Sequence, residues 1–179
     1  MEHFVVLLRG VNVGGINIKM AELKTCLAEL PVQQVKTLLA SGNVVLSTEL
    51  SASQLKSQVE EALAARFGYQ AWVVVLTITR ISELIASCPY PADSTDQHSY
   101  VTLASDPAAI KRLLDEAAKL SEEMVELGPE AVAWLAPVGG TLESAISKLT
   151  AKASYKSTTT TRNLRTLIKI RDAGAALSA

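Results

Sequence analysis

The segment LLRGVNVGGINIKM, residues 7–20, holds the densest group of residues that could bind an anion. Arg9 offers a planar fork of donors that suits phosphate or carboxylate, and Lys19 adds a second positive charge. Glycines allow the backbone to approach a ligand closely, and asparagine amides supply neutral donors and acceptors. These further candidates are Gly10, Asn12, Gly14, Gly15 and Asn17. Because no acidic residue occurs between Phe4 and Ala21, the segment favours an anion over a metal ion.

A second polar group, Ser41, Gly42 and Asn43, separates the short apolar runs VKTLLA and NVVLST. Turn residues between two such runs predict a β-hairpin. Ser41 and Asn43 carry side chains that can donate to a ligand, so the turn is a second candidate part of a site.

The third group lies in STTTTRN, near the end of the chain. Residues 146–170 contain six basic residues and no acid. We expect the threonines, Thr160 among them, to cap a final helix with Arg162 and Asn163 in its first turn. A cation in the first turn is unfavourable for the helix dipole unless an anion lies nearby. Thr160, Arg162 and Asn163 are therefore further candidates for ligand binding. The alternative is neutralisation of the basic stretch by the acidic residues between Glu116 and Glu130.

The pattern of apolar residues predicts the elements that carry these groups. Residues 1–88 read as strand, helix, strand, strand, helix and strand, the ferredoxin-like βαββαβ order of an α+β fold. A doubly wound parallel sheet fits poorly, because the hairpin is too tight to join parallel strands. Residues 97–179 read as a related βαββα half without a clear final strand, followed by a C-terminal helix. We expect Thr141 to cap one helix there and Gly174 to end the last one.

Connectivity predicts that the first two groups meet. In a ferredoxin-like sheet the exit of the first strand lies at the same edge as the turn between the second and third strands. The start of the first helix, with its unpaired N–H groups, lies there as well. The loop 9–19 and the turn 41–43 therefore form one candidate anion site. The alternative is that the glycines only punctuate turns, because their spacing matches neither a dinucleotide fingerprint nor a P-loop.

Composition excludes several other functions. A net charge of −1 argues against strong capture of nucleic acid, and no apolar stretch approaches the roughly 20 residues that a membrane helix needs. The N-terminus lacks a signal sequence, so we expect a cytoplasmic protein. Two histidines and two cysteines give no metal cluster, no hydrolytic triad and no disulfide framework, and we expect no cofactor.

The three polar groups, in this order, resemble the signature of the DUF1697 family, bacterial proteins of unknown function. The resemblance spans nearly the whole chain and implies a compact α+β protein with two related halves. The family's signature residues lie in the loop, the turn and the threonine-rich segment, so the resemblance supports these residues as candidates for the anion site. The family's third motif continues with tryptophan, whereas Leu164 stands here. The resemblance implies no activity, so whether the protein is an enzyme stays open.

Three functional hypotheses follow. The first is a small-molecule binding protein that holds a phosphate or carboxylate between the loop 9–19 and the turn 41–43, with Arg162 as a further charge. The second is weak nucleic-acid binding through the basic C-terminal segment. The third is a structural or regulatory module that forms a homodimer.

Overall fold

In the computed structural model of the protein, the described residues are 1–13 and 15–178. Contacts divide the chain into two compact units. The first unit is Met1–Ile81 together with the segment that begins at Lys169, and the second unit is Ser82–Ile168. The domain boundaries predicted from the sequence, 1–88 and 97–179, stay predictions.

The first unit has the predicted order of strands and helices. Its elements are β1 (Glu2–Leu8), α1 (Met20–Ala28), β2 (Val32–Leu38), β3 (Asn43–Thr48), α2 (Ala52–Phe67) and β4 (Val73–Thr77). The strands form one sheet in the order β2-β3-β1-β4, and every neighbouring pair is antiparallel. This is the ferredoxin-like arrangement, so the predicted fold class is confirmed for this half.

The core of the first unit explains the arrangement of its elements. The apolar run Phe4–Leu8 is buried throughout, as expected for a central strand. On one face of the sheet, Phe4, Val6 and Leu8 pack in a single cluster with buried residues of both helices. These helix residues are Leu23, Cys26 and Leu27 of α1, and Leu55, Val59 and Leu63 of α2. Their spacing of three and four residues places them on one face of each helix.

The second unit repeats the plan. The elements from the end of the first sheet onward are α3 (Ile78–Ser87), β5 (Gln97–Ala104), α4 (Pro107–Lys119), β6 (Val125–Gly128), β7 (Ala131–Pro137), α5 (Ala145–Thr150), α6 (Ala153–Lys156), β8 (Thr159–Asn163) and α7 (Leu164–Ala175). The strands again form an antiparallel sheet, in the order β6-β7-β5-β8. Two helices belong to both units: α3 begins in the first unit, and α7 begins in the second and ends in the first.

The duplicated α+β plan and the C-terminal helix are confirmed, but the second half does have a final strand. β8 pairs with β5, so that Thr160 lies opposite Leu103 and Arg162 opposite Val101. Thr160, Arg162 and Asn163 are therefore strand residues, and the expectation that they cap or open the last helix is wrong. The physical reason is that threonine, a β-branched residue, favours strands, although its hydroxyl also suits a helix cap.

Two helix boundaries also differ from the expectations. Ser144, not Thr141, caps α5: its side chain accepts a hydrogen bond from the Ser147 N–H, while Thr141 opens a short 3-10 turn. Gly174 lies inside α7 and does not end it. A Cβ at Gly174 would lie 2.4 Å from Cδ1 of Ile78, so this glycine permits close packing.

No helix within residues 1–13 and 15–178 combines the length and apolar character that crossing a bilayer requires. Cys26 is buried, Cys88 is half-buried, and neither forms a disulfide.

Candidate functional site

The loop after β1 and the turn between β2 and β3 are neighbours. The Leu8 N–H donates to the Gly42 carbonyl at 2.9 Å. The side-chain amide of Asn12 donates to the Ala40 carbonyl at 2.7 Å. The predicted meeting of these two loops, which lie far apart in sequence, is therefore confirmed.

Asn12 also ties this contact to the start of α1. Its Nδ2 donates to the Ile18 carbonyl at 2.9 Å, and its Oδ1 accepts the Ile18 N–H at 2.9 Å. Asn12 has a φ of 57°, in the left-handed region that asparagine tolerates better than most residues. Since both amide hydrogens are used within the protein, Asn12 holds the loop, the turn and the helix start together, and its donors are not open to a ligand.

The turn is held by its own asparagine. Asn43 is fully buried, and its Nδ2 donates to the Leu38 carbonyl at 2.8 Å and to the Ser41 Oγ at 3.0 Å. Gly42 has a φ of 81°, and a Cβ there would lie 2.7 Å from Cγ2 of Val11. Gly42 and Asn43 thus shape the turn, and Ser41 is the half-buried polar side chain beside them.

The start of α1 offers the most accessible polar groups. Lys19 is the N-cap residue, and its side chain makes no capping hydrogen bond. Within the described residues the exposed side chains of Asn17 and Lys19 have no hydrogen-bond or ion-pair partner. The first-turn N–H groups of α1 add partial positive charge. Glu22, in the same turn, carries a negative charge that opposes an anion here.

Arg9 stands at the exit of β1, where its N–H donates to the Trp72 carbonyl at 3.0 Å. Its side chain is half-buried, and burial lowers the pKa of the Arg9 guanidinium from its ordinary value through desolvation. A charge that has lost part of its water interacts more strongly with an opposite charge. Gly10 and Gly15 follow, both exposed, and a Cβ at either would meet nothing within 4 Å. Gly14, also a predicted ligand residue, lies outside the described residues.

The third predicted group lies in the second unit. Arg162 is buried, and its Nη1 donates to the Thr160 Oγ1 at 2.7 Å and to the Thr161 carbonyl at 2.9 Å. The Asn163 Oδ1 accepts the Arg165 N–H at 2.9 Å, at the start of α7. Any role of these residues in ligand binding stays a prediction.

The basic C-terminal segment offers a weaker surface for nucleic acid than its composition suggests. Arg162 is only 6% exposed, so its charge is not displayed on the surface. Lys152 forms an ion pair with Glu116 at 3.2 Å, a member of the acidic stretch. For this pair the alternative interpretation, mutual neutralisation, is correct.

The second unit provides an internal comparison for the loop. Its Ala104 N–H donates to the Glu130 carbonyl at 2.8 Å, which matches the contact between Leu8 and Gly42. Only two residues, Ser105 and Asp106, then connect β5 to α4, and Asp106 caps the helix. Eleven residues, 9–19, connect β1 to α1. The fold alone does not require so long a connection.

Sequence reasoning missed two residues at this edge. Val13 and Leu39 are exposed apolar residues, 68% and 46% accessible, on the loop and the turn respectively. Leu39 has a φ of 56°, which is unusual for a leucine. The one available signal in the sequence was a leucine two positions before Ser41, the first polar residue of the predicted turn.

A cavity of about 490 Å³ lies elsewhere in the first unit, at the end of β3 away from the turn. Its wall includes Pro31, Gln33, Thr48, Leu50 and Gln54, and no lysine or arginine lines it. The Thr48 Oγ1 donates to the Pro31 carbonyl at 2.8 Å, and the Gln54 Oε1 accepts the Ser51 N–H at 3.0 Å. The N-terminal ammonium of Met1, which also lines the cavity, forms an ion pair with Glu49 at 2.6 Å, so its charge is already neutralised within the protein.

A polar chain in the second unit was also missed. The Arg165 Nη2 lies 3.3 Å from the His98 Nε2, and the His98 Nδ1 lies 3.3 Å from the Tyr100 hydroxyl. That hydroxyl lies 2.9 Å from the Thr141 Oγ1, and the Tyr100 ring stacks on Trp134 at 4.8 Å. In the part of the chain that the structure describes, no cluster of histidine, cysteine and acidic side chains could hold a metal ion.

Comparisons with known proteins agree with this architecture. A family model described as "Protein of unknown function (DUF1697)" matches residues 1–132. A solved structure of a conserved bacterial protein from Streptococcus pneumoniae is similar in fold, with a TM-score of 0.79 and 22% sequence identity. The similarity covers 96% of this chain and 97% of that chain. No curated protein matches the chain in sequence.

Proposed function

We propose that this protein, which belongs to the DUF1697 family, binds a small anionic molecule, a phosphate or carboxylate, at the edge formed by the 9–19 loop and the β2–β3 turn (residues 39–42). The observation that carries the proposal is the three-way junction at Asn12. One side chain joins the loop, the turn and the start of α1. Such a junction supports a preorganised site, because the parts are held in place before a ligand arrives.

The length of the loop supports the same proposal. The second unit connects the equivalent strand and helix with Ser105 and Asp106 alone. The first unit uses residues 9–19 there, and an arginine, a lysine and three glycines lie among them. A long connection that the fold does not need is a common carrier of binding function.

The anion would be held by groups of different kinds. Arg9 supplies a partly desolvated guanidinium, and Lys19 supplies an exposed ammonium at the start of α1. Asn17 and the backbone N–H of Gly15 supply neutral donors. Asn12, Gly42 and Asn43 contribute indirectly, because they hold the loop and the turn in place. Glu22 weakens binding by like-charge repulsion.

A calorimetric titration with inorganic phosphate and with acetate tests the proposal. We expect Arg9→Gln to weaken the binding of the anion by about tenfold or more, because it removes a charge-assisted hydrogen bond. Arg66→Gln is the matched control, since Arg66 is exposed in the last turn of α2, outside the loop and turn. Thermal unfolding without ligand checks that Arg9→Gln is folded.

Charge changes on α1 give a second, independent test. Lys19→Gln and Lys24→Gln remove the same charge from exposed lysines of one helix, but only Lys19 lies at its start. We expect Lys19→Gln alone to weaken binding and Glu22→Gln to strengthen it. Equal effects of Lys19→Gln and Lys24→Gln, together with an unchanged affinity in Arg9→Gln, would contradict a site at this edge.

Several predictions from the sequence remain part of the proposal. We retain a cytoplasmic location and a contribution of Thr160, Arg162 and Asn163 to ligand binding. Homodimer formation also stays a prediction, and solution mass measurement tests it. We propose no cofactor.

A further inference from the structure

Two exposed apolar side chains emerge next to the junction at Asn12. Val13 follows Asn12 in the loop, and Leu39 precedes Ala40 in the turn. Because Asn12 and Ala40 are joined by a hydrogen bond of 2.7 Å, both apolar residues lie one position from the same contact. Among the described residues of the first unit, Val13 and Leu39 are the exposed large apolar residues apart from Met1.

Leu39 has a backbone conformation that is unfavourable for leucine. Its φ of 56° is a backbone conformation that glycine or asparagine adopts far more easily than leucine. Its side chain is also 46% exposed, so packing within the unit offsets this strain only in part. Residues held in such conformations recur at ligand-binding sites, and Leu39 is one of them at this edge.

The turn packs directly on apolar atoms of the core. Gly42 has no side chain, and a Cβ there would lie 2.7 Å from Cγ2 of Val11 and 2.9 Å from Cβ of Leu8. Val11 and Leu8 are both buried. The core therefore reaches the turn that carries Leu39, and Leu39 is the large apolar side chain of that turn that stays exposed.

We infer that the ligand of this edge is a small organic anion with an apolar group, such as an aryl or branched alkyl phosphate or carboxylate, and not an inorganic ion. This inference rests on the proposed function. Arg9 and Lys19 attract the charged end, while Val13 and Leu39 contact the apolar end and remove it from water.

Two pairs of probes separate the apolar contribution from the charge. Phenyl phosphate is compared with inorganic phosphate, and benzoate with acetate, by calorimetric titration of the whole chain. Covering about 60 Å² of apolar surface corresponds to about tenfold in affinity, so we expect the aromatic member of at least one pair to bind about tenfold more tightly.

Two variants assign that difference to the apolar pair. Leu39→Asn removes the apolar side chain and places a residue that tolerates a positive φ, so it should fold at least as well as the native chain. Val13→Ser removes the second apolar group. We expect each to reduce the preference for the aromatic probe and to leave the affinity for phosphate or acetate unchanged. Leu142→Asn is the matched control, because Leu142 is an 82% exposed leucine of the second unit.

The outcomes distinguish this inference from the proposed function. Equal affinity for both members of each pair, with binding still weakened in Arg9→Gln, overturns the inference and leaves the proposed function in place. An aromatic preference that survives both Leu39→Asn and Val13→Ser also overturns it, because the apolar contact then lies elsewhere. Binding of none of the four probes contradicts the proposed function, and the inference falls with it.

Discussion

Replacing Asn12 with alanine tests whether one side chain holds the candidate site together. The change removes three hydrogen bonds, from Nδ2 to the carbonyls of Ile18 and Ala40 and from the Ile18 N–H to Oδ1. At about 1 kcal/mol for each bond, their loss would cost about 3 kcal/mol. The bond to Ala40 is exposed and water replaces part of it, which reduces the expected cost of losing the three bonds to about 2 kcal/mol.

The backbone adds a second contribution that a companion variant isolates. Asn12 has a φ of 57°, and alanine in that conformation costs about 1 kcal/mol more than glycine. We therefore expect Asn12→Ala to lower the free energy of unfolding by about 3 kcal/mol and Asn12→Gly by about 2 kcal/mol. Asn17→Ala is the control, because Asn17 is exposed and has no partner among the described residues, and its effect should stay within about 0.5 kcal/mol.

Urea denaturation followed by circular dichroism measures these differences, and amide exchange measured by NMR places them in the structure. In Asn12→Ala the Ile18 N–H loses its acceptor, so its exchange should accelerate, while the amides of β1 are little affected. If Asn12→Ala and Asn17→Ala were equally stable, and Ile18 exchanged at the native rate, Asn12 would not hold the loop, the turn and the start of α1 together.

Three further changes test other contacts. Gly42→Ala should lower the free energy of unfolding by about 2–4 kcal/mol in urea denaturation, because its Cβ would lie 2.7 Å from Val11 at a φ of 81°; Gly10→Ala, with open space, should lose only about 1 kcal/mol. Gly174→Ala should lower the melting temperature, because its Cβ would lie 2.4 Å from Cδ1 of Ile78. In a chain that already carries Gly174→Ala, Ile78→Ala should lower the melting temperature by less than it does in the native chain. The hydrogen bond from Lys152 lowers the pKa of the Glu116 carboxyl, so any stability it provides is present above the ordinary glutamate pKa and lost as pH falls through the lowered value. An NMR titration should show that Lys152→Met raises this pKa and that Lys148→Met does not.

Much of the first unit can be predicted from the sequence because its signals are local and strong. The apolar run of β1, the helical spacing of Leu55, Val59 and Leu63, and the capping box of Ser51 each identify an element without reference to the rest of the chain. Connectivity alone then places the 9–19 loop beside the β2–β3 turn. No side-chain detail was needed for that step.

The threonine-rich strand β8 could not be predicted in this way. Its inward residues include Thr160 and the buried Arg162, so it lacks the apolar alternation that identifies a strand. The pairing with β5 that stabilises it joins residues about 60 positions apart, as between Val101 and Arg162. A local pattern of hydroxyl side chains therefore suggested a helix cap instead.

The roles of the asparagines were also beyond sequence reasoning. The amide of Asn12 or Asn43 is equally suited to a ligand or to a backbone carbonyl. Only the structure reveals that Asn12 donates to Ile18 and Ala40, and that Asn43 is buried against Leu38 and Ser41. The same applies to Gly174, whose close approach to Ile78 depends on the packing of two helices.

Helix α7 has a consequence for synthesis of the chain on the ribosome. Its segment from Lys169 belongs to the first unit, and Gly174 packs against Ile78, which is translated almost a hundred residues earlier. The sheet β2-β3-β1-β4 can assemble as soon as β4 emerges from the exit tunnel, but the first unit acquires its last helical segment only after the entire second unit has been translated. Nascent chains arrested before Lys169 should therefore hold a first unit that is folded in its sheet and still open to proteases near Ile78.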